Sequence, residues 1–372
     1  MTTAPFDPAV AALASDSHTA VLTAVAVSGA TTVPLDVLDY SVAWDENRNP
    51  HTTASLDCAV PDQAALDLLD PRTMVRVKIT VSYTLPSGHV DAQQVADLGL
   101  RSRRVSRPDN TLTLECASDE ALVIDNSPDA PYFEGQSTFA TPVAYVNSAL
   151  TARLAGGPAA SPTIVNRLTS SGGAFLVDSF PTDWWSTIVD ALDALDADLY
   201  DPGDRTFYLE PRAYATAESV HVLTVGPRGN IVSSDAGVGR EDWANAVTIL
   251  WRWDNTSNPG QPDRTWGLAN VTGGPWAPSV AGYKTYTETR PGKVNSTTAT
   301  AVAQNVLRRV LARGRTYRIV AVAAWWVRAK DTVTIQLPTG DQERHLVAAV
   351  EFRGDGLMTL TTRQPDTLST IG

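Results

Sequence analysis

Apolar side chains recur at every second position through Val75-Arg76-Val77-Lys78-Ile79-Thr80-Val81-Ser82-Tyr83, a pattern that predicts a strand with one face on a core. Pro86-Ser87-Gly88 supplies turn chemistry after it. Shorter alternating runs follow at Leu98-Gly99-Leu100 and Leu112-Thr113-Leu114-Glu115-Cys116, separated by Pro108-Asp109-Asn110. Short strands joined by polar turns predict an antiparallel barrel or sandwich ending near residue 126.

Beyond that point the period lengthens. Thr141 and Pro142 open a predicted helix whose apolar positions are Val143, Val146, Leu150 and Leu154, stopped by Gly156-Gly157. A second helix, capped by Thr182 or Asp183, carries Trp184, Trp185, Ile188, Val189, Leu192 and Leu195 on its apolar face. Leu199-Tyr200 and Thr206-Phe207-Tyr208-Leu209 then flank Asp201-Pro202-Gly203-Asp204, a hairpin pattern. Residues 127–215 therefore read as a small α/β domain.

Alternation returns at Ala246–Trp251 and Thr332–Leu337, and Gly354-Asp355-Gly356 joins a closing hairpin of His345–Phe352 with Leu357–Thr361. Between them lie a Gly-, Pro-, Asn- and Thr-rich stretch, residues 255–296, and a helix over Thr298–Arg313. That helix buries Val302, Val306, Leu307, Val310 and Leu311, with Gly314 at its C′ position. We read 256–317 as an insertion into a second β domain formed by 216–255 and 318–372.

Composition narrows the function classes. Of 372 residues 43% are hydrophobic, enough for real cores, and the length predicts more than one domain. The longest apolar run, Ile319–Val327, is far short of the ~20 residues of a membrane span, so no membrane insertion is expected. No Lys or Arg precedes Arg48, so the N-terminus lacks the basic region of a signal peptide, and synthesis in the cytosol is expected. Against 29 basic residues stand 41 acidic ones, a net charge of −12 that disfavours tight binding of nucleic acid through its phosphates. Cys58 and Cys116 form no metal cluster and no disulfide framework.

Candidate chemistry is sparse. The five histidines, His18, His51, His89, His221 and His345, have no second ligand at a metal spacing, and neither a nucleophile elbow nor a phosphate-binding loop occurs. Asp193, Asp196, Asp198, Asp201 and Asp204 form an acidic cluster, but their order is wrong for a calcium loop and Pro202-Gly203 accounts for it as a turn. Glu351 with Asp355, or Glu115 with Asp119 and Glu120, has the residue types of a glycosidase pair; solvated strand ends explain them more simply. No cofactor is expected. Ten tryptophans raise a carbohydrate platform, although their amphipathic context favours cores or subunit interfaces. Arg101, Arg103, Arg104 and Arg107 form the one concentrated positive patch, read either as a solvated strand face or as an electrostatic seam between subunits.

Glu115-Cys116-Ala117-Ser118-Asp119-Glu120-Ala121-Leu122 closing a β domain, then Trp184-Trp185-Ser186-Thr187-Ile188, Leu199-Tyr200 and Phe207-Tyr208-Leu209-Glu210-Pro211, resembles minor tail proteins of actinobacterial siphophages, which are similar to the baseplate and tail-hub family. The resemblance implies a mainly β chain with α+β insertions in four parts. These are a tail-tube-like β-barrel at 1–126, a small α/β domain at 127–215, a second barrel at 216–255 and 318–372, and the helix-bearing insertion at 256–317. It further implies a non-enzymatic virion protein, a homotrimer whose six barrels match a hexameric tube. Its partners would be a distal tail or tail-tube protein above, tail-tip, fibre or tape-measure proteins below, and genomic DNA sliding through the lumen. Arg101, Arg103, Arg104, Arg107, Trp184 and Trp185 are the candidate subunit-interface residues. A receptor- or carbohydrate-binding tail module and a cell-wall hydrolase are the alternatives.

Overall fold

The computed structural model describes residues 6, 19–84, 88, 90–125, 137–154, 163–172, 175–177, 184–212, 215–227, 229–253, 263–291, 293–336, 340–365 and 369–372. Strand makes up 51% of the chain, so it is a mainly β protein with few helices. The proposed helix caps Thr182 and Asp183, the stop at Gly156-Gly157, and His18 and His89 lie outside the described residues.

The first third holds β1 (Thr19–Ser28), β2 (Thr31–Leu35), β3 (Val37–Asp45), β4 (Thr52–Ala59), β5 (Arg76–Thr84), β6 (Val90–Ser106) and β7 (Thr111–Ala117), with helix α1 (Gln63–Leu68) between β4 and β5; the three alternating runs of the sequence fall in β5, β6 and β7. All pair antiparallel in the order β3-β4-β7-β6-β5-β1-β2. Helix α2 (Glu120–Asp125) leads out of this sheet.

The longer period then yields β8 (Ser137–Phe139), α3 (Pro142–Leu154), β9 (Thr163–Asn166), β10 (Phe175–Val177), α4 (Trp184–Leu195), β11 (Ala197–Tyr200) and β12 (Thr206–Pro211). Thr141 caps α3, its hydroxyl accepting from the Ala144 amide at 3.1 Å. The two helices pack on each other, α4 also packs on β11, and their shared core holds Val146, Leu150, Trp185, Ile188, Phe207 and Leu209.

The last part contains β13 (Ser219–Thr224), β14 (Ile231–Val238), β15 (Ala246–Trp253), β16 (Asp263–Gly273), α5 (Pro278–Ala281), β17 (Thr285–Pro291), α6 (Ser296–Ala312), β18 (Arg315–Val322), β19 (Thr332–Gln336), β20 (Gln342–Arg353), β21 (Leu357–Arg363) and β22 (Thr370–Ile371). The Gly-, Pro-, Asn- and Thr-rich stretch over 255–296, for which the sequence predicted no strand, supplies β16 and β17. β15, β16, β17 and β22 make a four-stranded sheet covered by α6, whose five expected apolar residues are all buried. Gly and Ala line the helix-facing side of β16. A Cβ on Gly267 would lie 2.2 Å from the Ala299 carbonyl oxygen, so the close approach of α6 requires glycine there.

The expectation of two closed barrels is corrected. β20 pairs antiparallel with β3 (Val350 opposite Trp44, Phe352 opposite Val42), which fuses both β regions into one 13-stranded sheet. Its main path runs β14-β18-β21-β20-β3-β4-β7-β6-β5-β1-β2, with β19 and β13 branching from β20, and among the described residues no pairing joins the two ends. A single core runs along it. At the seam Trp325 stacks on Phe352 at 4.1 Å, Trp44 meets Phe352 edge-on at 5.7 Å, and the buried Arg328 guanidinium sits 4.1 Å above the Trp44 ring. Glu46 beside them pairs with Arg363.

Candidate functional site

A dense polar site forms where the hairpin between β11 and β12 meets the large sheet. Asp201 opens the turn, and its Oδ1 accepts from the amides of Gly203, Asp204 and Arg205 at 2.8, 3.1 and 3.1 Å. Gly203 has φ +90°, a conformation that favours glycine, and it sits against Ala96 and Leu98 of β6. The turn then bonds outward. Trp44 Nε1 donates to the Pro202 carbonyl at 2.8 Å, Thr52 Oγ1 to the Asp201 carbonyl at 2.9 Å, and the Asp97 amide to the Gly203 carbonyl at 2.6 Å.

Beneath the turn lies a buried ionic network. Glu120, fully buried, accepts from the Asp201 amide and the His51 amide, each at 2.9 Å, and from the Ser118 hydroxyl. The Asp119 amide donates to Asp201 Oδ2 at 3.1 Å. Arg76 is clamped between Asp97, at 2.8 Å, and Asp119, while Arg205 reaches Asp119 at 3.5 Å. Burial pushes the Glu120 carboxyl up to about 8, with the Asp201 charge acting in the same direction. Burial and the Asp119 charge push Asp201 up to about 7 against the pull of its amide donors. The same loss of water pushes His51 down to about 3, so it is neutral.

Several residues singled out in the sequence meet here, but in another role. Asp119 and Glu120 are buried network members, not solvated strand ends, whereas Glu115 stays exposed and accepts from Ser55 at 2.8 Å. Asp193 and Asp198 are bridged by Arg212 at 2.6 and 3.1 Å, and Lys330 reaches Asp198 at 2.9 Å. These contacts make an ionic clasp of the acidic cluster. Among the described residues no three His, Cys, Asp or Glu side chains are placed to hold a metal ion. Glu351 accepts from Ser41 at 2.9 Å and pairs with Arg353 at 3.0 Å, next to the β3–β20 seam. Cys58 and Cys116 are free and buried, and burial pushes the Cys58 thiol up to about 12.

The positive patch is on the surface. Arg101, Arg103, Arg104 and Arg107 are all exposed along and just beyond β6; Arg101 pairs with Asp125 at 2.5 Å, and Arg103 donates to the Leu66 carbonyl. Trp185 is buried in the α/β core and Trp184 is half-buried beneath Arg153, whose guanidinium lies 3.9 Å over its ring. Sequence reading passed over Trp243 and Trp276. They meet edge-on at 6.0 Å on the wall of a surface cavity of about 600 Å³, far apart in a Gly- and Pro-rich context that hides their proximity.

No protein-family model matches the chain, and no curated protein matches its sequence. Solved structures do. A tail protein from Neisseria meningitidis MC58 matches with a TM-score of 0.63 at 14% identity, covering 93% of this chain and 97% of its own. The 43 kDa tail protein of prophage MuSo2 from Shewanella oneidensis matches at 0.61 and 12%, covering 92% and 98%. The chain has the fold of phage tail proteins. Prophage tail protein gp18 from Listeria monocytogenes EGD-e, at 0.55 and 12% over 93% and 95%, extends the likeness to a third source. The alignments with these three structures cover more than nine-tenths of both chains, so the likeness extends over the whole fold. Within that fold the Glu120–Asp201 network docks the α/β unit on the sheet.

Proposed function

We propose that this chain is a non-enzymatic structural protein of a phage tail, a trimeric hub that joins the hexameric tail tube to the tail tip and forms part of the DNA conduit. The observation that carries the reading is the end-to-end likeness to tail proteins of nearly equal length, one of them from a prophage. The two-part construction of the large sheet supports it. Seven strands come from residues 19–117 and six from 219–363, so each half is the proposed counterpart of one tube-protein barrel, and three copies would present six such lobes. The four-part division at 1–126, 127–215, 216–255 with 318–372, and 256–317 is retained as the proposed hub organisation. Strand β15 is exchanged to the last part, because it pairs there with β16 and β17.

Chemistry points the same way. The carboxylates that resembled a catalytic pair are engaged in hydrogen bonds that hold units together, so they serve the scaffold. Three copies of a chain of charge −12 carry −36, which suits a wall along which DNA slides without sticking. The exposed arginines at 101, 103, 104 and 107 are the proposed cationic side of a subunit contact; Trp184 and Trp185 would act behind it, by holding the α/β core in place. Electron microscopy of the native assembly tests the reading. A threefold ring of six lobes around a channel at a tail end is expected, and a peripheral, channel-free position would overturn it.

A second reading, a carbohydrate- or receptor-binding tail module, is favoured by one observation: Trp266 and Trp276 are 45% and 41% exposed. Saturable binding of purified host-wall glycans by the isolated protein would select it over the hub.

A further inference from the structure

Three features converge at one end of the large sheet. The first is an open edge. Among the described residues β14 pairs only with β18, with one register shift between Ile231 and Ser233; every residue from Val232 to Val238 is exposed, and the sole charge among them is Asp235. Val232 and Val238 stand 62% and 81% in solvent. Edge strands are ordinarily blunted by charge, proline or a covering element, because their free N–H and C=O groups accept another strand. At the other end of the strand path β2 is blunted in this way: Pro34, opposite Val25 of β1, has no N–H to offer a further strand.

The second feature is the cavity of about 600 Å³ that begins at Val238, where β14 ends. Trp243, Trp276 and Leu311 form its walls, and exposed Val280 and Tyr283 follow Trp276 in the chain. Trp243 is seated by Gly314, where a Cβ would lie 2.6 Å from its ring, so the wall is built closely. Ligand sites are commonly concave, mostly apolar and of this size, with a few polar side chains such as Arg240, Arg315 and Gln364 here. An apolar patch of this kind on an otherwise charged surface marks an interface.

The third feature is charge. Arg240 stands at the cavity with its guanidinium 5.2 Å from the centre of the Trp243 ring, and it makes no ion pair among the described residues. Arg315, on the same wall, pairs with Glu343 at 3.3 Å. In a chain of net charge −12 an unneutralised arginine beside an apolar cavity selects a carboxylate on the occupant.

We propose that an extended segment of another protein, carrying an apolar side chain next to a carboxylate, adds to the outer edge of β14, seats that side chain in the cavity against the Trp243 and Trp276 wall, and pairs its carboxylate with Arg240. Main-chain pairing supplies affinity in this mode, and the pocket with its cation supplies specificity. Pro34 disfavours continuation of the sheet by β2 of a second copy. The inference goes beyond the hub reading, which assigns no occupant to this edge.

The test uses the full chain, with Val238→benzoylphenylalanine, in native particles. Irradiation followed by sequencing of the cross-linked peptides is expected to capture one defined segment of a different protein, with an Asp or Glu within three residues of the attachment point. Arg240→Glu and Trp276→Ala, combined singly with the probe, are each expected to lower that yield at least tenfold at an unchanged unfolding temperature. Attachment to a second copy of this chain, no attachment above a probe placed at exposed Lys293, or a yield that survives both substitutions would overturn the proposal. Entry of the chain into particles is scored separately on gels. If it does not enter, the hub reading fails, and the same irradiation in the producing cells decides the docking proposal by the same criteria.

Discussion

Glu120 shows what burial does to a single residue. Its side chain has no contact with solvent, yet both oxygens accept hydrogen bonds, so its charge state is set by the loss of water against three donors and the nearby Asp201. With a folded-state value near 8 against an ordinary 4.5, the folded chain holds this proton more tightly than the unfolded chain does across that window. The stability so lent is complete below the unfolded value and is lost as pH rises through the folded one. Asp201, raised from 3.8 to about 7, acts in the same direction. The unfolding temperature is therefore expected to fall between about pH 5 and pH 8, and Glu120→Gln is expected to flatten that fall. Differential scanning fluorimetry across the series measures both, and a parent profile that rises over the same range would refute the assignment. Asp201→Ala removes the acceptor of four amides at once and is expected to cost about 2–3 kcal/mol in urea unfolding.

At the scale of elements, packing is decided by what is missing from side chains as much as by what is present. Gly314 follows the cap residue Arg313 of α6, which is the C′ position expected for it, and the ring of Trp243 against it also requires glycine there. Gly267 has the same logic on β16, under Ala299 of α6. Gly267→Val is expected to destabilise the chain by about 3 kcal/mol or more through overpacking. Gly239→Ala, at a position where a Cβ meets nothing within 4 Å, is expected to be nearly neutral. Denaturant midpoints of the two variants check the contrast. The strands β16 and β17 were hidden in the sequence for a related reason: small residues on the buried face of β16 give no hydrophobic alternation to read. By contrast α3, α4 and α6 were legible almost to the residue, because large aliphatic side chains mark their buried stripes.

For the molecule as a whole, the continuous sheet makes the two β regions one mechanical body, with Trp44, Trp325 and Phe352 filling the seam. The arginines of β6 lie outside that body's core and contribute little to its folding, since exposed ion pairs are worth about 0–1 kcal/mol. Charge reversal, Arg103→Glu with Arg104→Glu, is therefore expected to leave the unfolding temperature of the isolated chain within about 2 °C of the parent. The same variant is expected to impair ring assembly. Sedimentation or particle imaging reads the second effect, and unaltered assembly would remove these arginines from the proposed subunit contact.

The sequence by itself determined the mainly β class, the three principal helices, the β11–β12 hairpin and the strands with clear alternation, such as β5, β7 and β20. Each of these is written in a local period that the side chains of one segment carry alone. It also contained every residue of the Glu120–Asp201 network and of the Trp243–Trp276 cavity, but not their meeting. Asp201 lies 81 positions after Glu120, and Trp44 pairs with Val350 across most of the chain. Only the tertiary structure decided that strands from the two ends of the chain form one sheet, that carboxylates with the look of catalysts are struts of a joint, and that β14 is left with an open edge. Strand pairing and the fate of a buried charge depend on which surfaces are brought together in space, and no local period records that.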